Sequence, residues 1–347
     1  MFYIIVSLIT IYVLLKIYIS IKHPFWNRQP VFHIYNLYYW FYRGIVYKTL
    51  PKIDTKYYDN FTISHHKYNI LSEKQKNNVK KFVVNNWSDK KLNNYPYMKN
   101  IDYLSLFKKN PIEGIICGEI LQMNNNNVMY VDFLCVDKNN RKKKIAPKLI
   151  YNFFLNNYNN SKIYLFKWEN KTISILPLCI YNVLHYINIK IPKNNVFSNI
   201  KIIEINKSQL YLINENDIKE KFNVAIFQNI NTLIKMINDK YVIVYGSLIN
   251  NKLIGLYFFK HYKVKKGNIY NCYASINYDA NDLFVNGFNM IINSLDIFTL
   301  SIDDISDSNI LINSLNIFEP LYIETHSYYF YNYIKLSEKS NDVFILN

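Results

Sequence analysis

With 347 residues, half of them apolar, the chain is long enough to bury one large core or two joined ones. Its 41 Lys and Arg against 25 Asp and Glu give a formal charge of +16, which admits nucleic acid, an anionic membrane face or an anionic cofactor as partner. The lysines are scattered, and there is neither zinc-finger spacing nor a helix–turn–helix, so nucleic acid is set aside. Cys117, Cys135, Cys179 and Cys272 lie far apart with no Cys-x-x-Cys pair. This excludes a disulfide framework and a zinc site, and fits reduced, buried thiols in the cytosol. The histidines, His65-His66 among them, show no metal-ligand spacing, and no metal is expected.

In chain order, Phe2 to Ile21 comes first, an apolar stretch broken by Lys16 and a few hydroxyls. It is long enough to cross a bilayer, and it lacks the basic start and small-residue cleavage site of a signal peptide. The basic cluster Lys22, His23 and Arg28 follows it. Residues 1–22 are therefore expected to be a single-pass transmembrane anchor, in a cellular or viral membrane, with the rest of the chain facing the cytosol.

Beyond it the chain divides near the polar run at residues 191–195 into halves 23–195 and 196–347. In the first, Ile112 to Met123 and Val128 to Val136 read as strands joined by the turn-compatible Asn124–Asn127 run; a helix Ala146 to Asn156 and a strand Lys162 to Phe166 follow. In the second, Tyr241 to Leu248 and Leu253 to His261 flank a hairpin signal at residues 249–252. A strand Ile269 to Ser275, a helix Phe284 to Ser294, a strand Asp296 to Leu300 and a helix Asn309 to Leu315 come next. Both halves run strands, helix, strand. The pattern predicts an α/β chain with a mixed sheet.

The stretch richest in chemistry is Val131-Asp132-Phe133-Leu134-Cys135-Val136, followed by Arg141-Lys142-Lys143-Lys144-Ile145-Ala146-Pro147-Lys148-Leu149-Ile150. It reads as a buried strand, a basic turn and a helix start, where unpaired N–H groups, the helix dipole and lysines all favour an anion. Pro147 suits the first helical turn. Cys135, in an apolar run, reads as a core thiol rather than a nucleophile. With no glycine between Gly118 and Gly246, neither a dinucleotide fingerprint nor a P-loop is available there.

These residues resemble the acyl-CoA site of the eukaryotic N-myristoyltransferases, whose Asn-Phe-Leu-Cys-Val strand precedes an Arg-Ser-Lys-Arg-x-(Ala/Thr)-Pro-x-Leu-Ile helix start. Three further stretches match in order: His23-Pro24-Phe25-Trp26-Asn27-Arg28-Gln29-Pro30-Val31, Tyr328-Tyr329-Phe330-Tyr331-Asn332-Tyr333, and the ending Asp342-Val343-Phe344-Ile345-Leu346-Asn347. The resemblance implies a duplicated acetyltransferase-like fold with a largely antiparallel sheet. It also implies an acyltransferase that moves a fatty acyl group, myristoyl above all, from acyl-CoA to the N-terminal glycine of proteins, as a monomer and with no prosthetic group. By it, His23, Phe25, Trp26, Phe133, Leu134, Cys135, Val136, Arg141, Lys142, Lys143, Lys144, Ile145, Ala146 and Pro147 hold acyl-CoA. The amides of Phe133 and Leu134 stabilise the oxyanion, the α-carboxylate of Asn347 is the base, and Tyr164 is a substrate-pocket tyrosine.

The departures fall on the acceptor side. Asp132 replaces an Asn, Pro177-Leu178-Cys179 replaces a Gly-Thr-Cys, and Phe318 to Glu324 replaces a glycine-rich peptide-binding loop; a strand near Phe107 to Ile112 reads as deleted. Asp303 and Asp304 read as capping or surface carboxylates. Two other functions stay open: acylation of a different amine, and a non-catalytic acyl-CoA or lipid-binding protein.

Overall fold

The N-terminal apolar run forms one helix, α1 (Phe2–Lys22). Among the described residues, no helix is long and apolar enough to cross a membrane, which overturns the transmembrane anchor and the single-pass, cytosol-facing placement. Along the helix, Tyr3, Ser7, Thr10, Tyr12, Lys16, Tyr18 and Ser20 stand among the apolar residues. Its last turn rests on the body of the protein, with Ile19 buried and Ser20 Oγ accepting from Asn27 Nδ2 at 3.2 Å. The structure, a computed structural model, describes residues 2–86, 98, 100–109, 111–169, 175–191, 199–264 and 266–347. Most of the polar run at 191–195 lies outside them.

After a short helix α2 (Leu37–Phe41) come β1 (Gly44–Ile45), β2 (Ile63–Lys67), α3 (Glu73–Asn86) and β3 (Tyr103–Lys109). β2 and β3 pair antiparallel and add to β4 (Ile112–Met123). β4 turns through Asn124, at φ 53°, into β5 (Asn126–Val136). The helix α4 (Ile145–Asn156) then carries the chain to β6 (Ile163–Glu169), parallel to β5. β7 (Cys179–Ile187), β8 (Lys201–Glu204), α5 (Glu215–Lys221), β9 (Val224–Gln228) and α6 (Ile230–Asn238) follow.

The second hairpin is β10 (Val242–Ile249) and β11 (Lys252–Val264), continued by β12 (Gly267–Asn277), α7 (Asn281–Ser294) and β13 (Thr299–Asp303). β12 and β13 pair in parallel, repeating the β5–α4–β6 crossover. α8 (Ser308–Ser314), β14 (Tyr322–Tyr331), β15 (Tyr333–Ile334) and β16 (Val343–Ile345) complete the chain.

Among the described residues, fourteen strands make one mixed, mostly antiparallel sheet in the order β16-β9-β4-β5-β6-β14-β7-β13-β12-β11-β10-β8, with β3 and β2 branching from β4. The late strand β14 inserts between β6 and β7 and so ties the two crossovers together. The N-terminal segment is fastened to that strand. Gln29 Oε1 accepts from Tyr331 OH at 2.6 Å, and Asn332 N donates to Pro30 O at 2.7 Å. Two sequence stretches three hundred residues apart thus share one buried contact.

Two glycines set how close α4 comes. A Cβ on Gly114 would lie 2.9 Å from Ile145 Cγ2 and Leu149 Cδ1, and one on Gly118 would lie 2.9 Å from Phe153 Cζ. The i, i+4, i+8 stripe Ile145, Leu149, Phe153 beds directly on the glycines of β4. That contact fixes the helix start over the sheet.

Candidate active site

The β4–β5 ladder slips between Ile115 and Cys117, which face Cys135 and Asp132, so Phe133 and Leu134 fall out of register opposite one residue. This is a β-bulge, and Phe133 takes a left-handed φ of 49° to make it. The bulge turns backbone N–H groups away from the ladder. One of them already has a partner, since Phe133 N donates to Asp132 Oδ1 at 2.8 Å.

Downstream, Asp137 caps a short turn through Asn139 N, and Lys142 and Lys144 both adopt left-handed backbone, φ 68° and 61°. Non-glycine residues pay for that conformation, and such strain gathers at functional turns. Lys144 is the N-cap of α4 and makes no side-chain cap hydrogen bond to the helix's first N–H groups. The Arg141 guanidinium donates to Asn86 O at 3.0 Å, holding the turn to the end of α3.

The bulge, the basic turn and the C-terminal strand open on one cavity of about 1230 Å³. Of the residues expected to hold acyl-CoA, Trp26, Phe133, Leu134, Cys135, Val136, Arg141, Lys142, Lys144, Ile145, Ala146 and Pro147 line it. His23, Phe25 and Lys143 do not. Phe25 is buried edge-on to Trp26 and Tyr57, and Lys143 Nζ donates to Asn140 Oδ1 at 2.7 Å. Trp26 stacks on Phe166 at 5.3 Å, which fixes its indole in the wall. Tyr164 also lines the cavity, with its hydroxyl donating to Phe154 O at 3.3 Å. All four cysteines are free and buried, and burial pushes the Cys135 thiol up to about 11, leaving it protonated at neutral pH.

Asn347 reaches the same cavity from the end of β16. That strand pairs parallel with β9, and Phe344 is fully buried among Phe222, Phe227 and Phe258. The Asn347 side chain accepts from Lys260 Nζ at 3.3 Å.

Around it stands a charged cluster that the sequence did not announce: Glu119 from β4, Asp132 from β5, Lys167 and Glu169 from β6, Lys260 from β11 and Asp303 from β13. Asp303 is buried in this wall, which corrects its reading as a capping or surface carboxylate. Burial pushes its carboxyl up to about 6 against the pull of Lys167 and Lys260. Burial and then the field of Asp132 push Glu119 up to about 8, and burial together with Lys167 draws Lys260 down to about 8. The only sequence signal for these residues was alternation within strands, because their partners come from strands remote in the chain.

No protein-family model and no curated protein sequence matches this chain. Solved structures do. Saccharomyces cerevisiae N-myristoyltransferase with bound myristoyl-CoA aligns with a TM-score of 0.64 and 13% identity over 92% of this chain and 94% of that one. A second such structure gives 0.68 and 13% over 92% and 89%. A third, with myristoyl-CoA and inhibitors, gives 0.64 and 13% over 95% of each chain. At this identity the likeness establishes architecture: the chain has the fold of an N-myristoyltransferase.

Proposed function

We propose that this chain is an N-acyltransferase that moves a fatty acyl group, myristoyl above all, from acyl-CoA to the N-terminal glycine of a protein. One observation carries the reading. On an N-myristoyltransferase fold, two bulged-strand residues, a strained basic turn and Asn347 converge on a single cavity large enough for a long ligand. The neighbours bearing that fold hold myristoyl-CoA.

Arg141, Lys142 and Lys144, with the N–H groups at the start of α4, suit the phosphates of CoA. The apolar wall at Ile116, Phe153 and Phe154 suits an acyl chain. The acceptor nitrogen attacks the thioester carbonyl, and the amides of Phe133 and Leu134 receive the charge that develops on its oxygen. The C–S bond then breaks, the amide forms, and CoA leaves as the thiol. An ammonium has no lone pair, so a base must take a proton first, and the α-carboxylate of Asn347 is our assignment for it. The repeated crossovers β5–α4–β6 and β12–α7–β13 support reading residues 23–195 and 196–347 as a duplicated acetyltransferase-like unit, the first holding acyl-CoA and the second the peptide side.

The test is transfer from myristoyl-CoA to a panel of Gly-initiated peptides, using the chain ending at Asn347 and a version extended by a few residues. The unextended chain should transfer. The extended one should bind acyl-CoA unchanged and lose rate by orders of magnitude, as when a positioned base is removed. Full activity in the extended chain would move the base to Glu119 or Asp303. A second reading, a non-catalytic acyl-CoA-binding protein, is favoured by one contact, the Asp132 carboxylate on the Phe133 amide. Tight acyl-CoA binding without transfer in either form would decide for it.

A further inference from the structure

The charges at the acceptor end of the cavity do not balance. Lys167 is matched by Glu169 at 3.3 Å. Lys260 is then left in the fields of three carboxylates, Glu119, Asp132 and Asp303. Its ammonium donates to the Asn347 side chain and sits 4.6 Å over the Tyr273 ring. Lys167 also acts on Asp132 and Asp303, so the wall sets two cations against four carboxyl groups; with Glu119 mostly protonated at pH 7, three carboxylates still outnumber the two cations.

A second observation points the same way. Tyr273, only 4% exposed, lines this wall, and its hydroxyl has no hydrogen-bond partner among the described residues. A buried hydroxyl left unpaired is costly, and a phenolic oxygen accepts readily from an ammonium or guanidinium. Tyrosine faces also attract cations.

Resting on the acyl-transfer reading, we propose that the acceptor chain carries a second cation, a Lys or Arg at its second or third residue, held among Glu119, Asp132 and Asp303 with the Tyr273 hydroxyl as a further acceptor. The attacking amine cannot fill this role, because it must be uncharged when it reacts. A side-chain cation keeps its charge throughout and offsets the surplus in ground state and transition state alike. Burial pushes Glu119 up to about 8 and Asp303 up to about 6 even against the pull of Lys260, and a further cation beside them would draw both back toward the charged form.

The test measures binding with no bond made. The full chain is saturated with a thioether analogue of myristoyl-CoA that cannot transfer its acyl group. It is then titrated calorimetrically with Gly-initiated pentapeptides carrying Lys, norleucine or Glu at position two or three. The Lys peptides should bind at least tenfold more tightly than the norleucine ones at one of the two positions, and the Glu peptides most weakly. Asp303→Asn with Glu119→Gln should erase most of that preference. Equal binding of Lys and norleucine at both positions would overturn the proposal, as would a preference untouched in the double variant. A charge preference without transfer from natural acyl-CoA would refute the enzyme and leave this binding site. Transfer without charge preference would do the reverse.

Discussion

Asp132 carries the sharpest tension in the site. Its carboxylate occupies the Phe133 N–H and adds a negative charge beside the place where the thioester oxygen becomes an oxyanion. At about 5 Å and an effective dielectric of about 20, such a pair repels by about 3 kcal/mol. Asp132→Asn keeps an oxygen for the amide and removes the charge, so kcat should rise by up to about a hundredfold with acyl-CoA affinity unchanged. Steady-state kinetics with myristoyl-CoA check this, and an unchanged or lower kcat would separate Asp132 from the oxyanion. Asp303 gives a stability prediction. Its folded-state pKa of about 6 lies above the ordinary 3.8, so the folded state holds a proton that the unfolded chain releases between pH 4 and 6. Stability is therefore lost as pH rises through that window, and the penalty is complete at pH 7. Asp303→Asn, which can still accept from Asn271, should stabilise the free protein at pH 7 by up to about 3 kcal/mol and by nothing near pH 4. Urea unfolding at the two pH values measures it. Neither residue was equally legible in the sequence. Asp132 was flagged because a motif surrounds it, whereas Asp303 was misread because Lys167 and Lys260, which define its setting, arrive from β6 and β11.

At the scale of elements, the close bedding of α4 on β4 is what aims the basic turn. Gly114→Val would drive a branched side chain into Ile145 and Leu149, overpacking that costs about 1–3 kcal/mol and lifts the helix start. Acyl-CoA affinity should fall with it, in contrast to a surface change of equal thermal effect. Arg141, Lys142 and Lys144 reversed together to Glu should weaken CoA binding at least tenfold, while Lys143→Glu alone should change it little, since Lys143 is not part of the cavity wall and its ammonium is engaged by Asn140. Equal losses would mean that only long-range charge matters. The elements around this site were readable because they are local: β4, β5 and α4 follow hairpin alternation, turn asparagines and a helical apolar stripe. β2 and β9 were missed, short strands whose partners lie far away in sequence, and β3 was missed although its partner β4 follows it directly in the chain. α1 was read correctly as a helix and wrongly as a membrane span, and the docking of its last turn through Ile19 depends on residues outside that stretch.

For the molecule as a whole, the decisive feature is the continuity of the sheet through β14, which no local signal in the sequence specified. The cavity wall draws on both sides of that strand, from Trp26 and Phe133 to Lys260, Asp303 and Asn347. A ligand filling it would touch both crossover units at once. Binding to the folded state alone stabilises by about 2.7 kcal/mol at a hundredfold excess over Kd, and it does so only for the cooperative unit that forms the site. Calorimetric unfolding should therefore show one transition, moved upward as a whole by myristoyl-CoA and less by CoA, which leaves the apolar wall unfilled. If the two crossover units unfolded separately, two transitions would appear and CoA would move only the one containing β5 and α4. That result would mean that β14 joins the units without coupling them, and the acceptor cluster, assembled from β4, β5, β6, β11 and β13, would then lack the common frame that holds its charges at fixed separation.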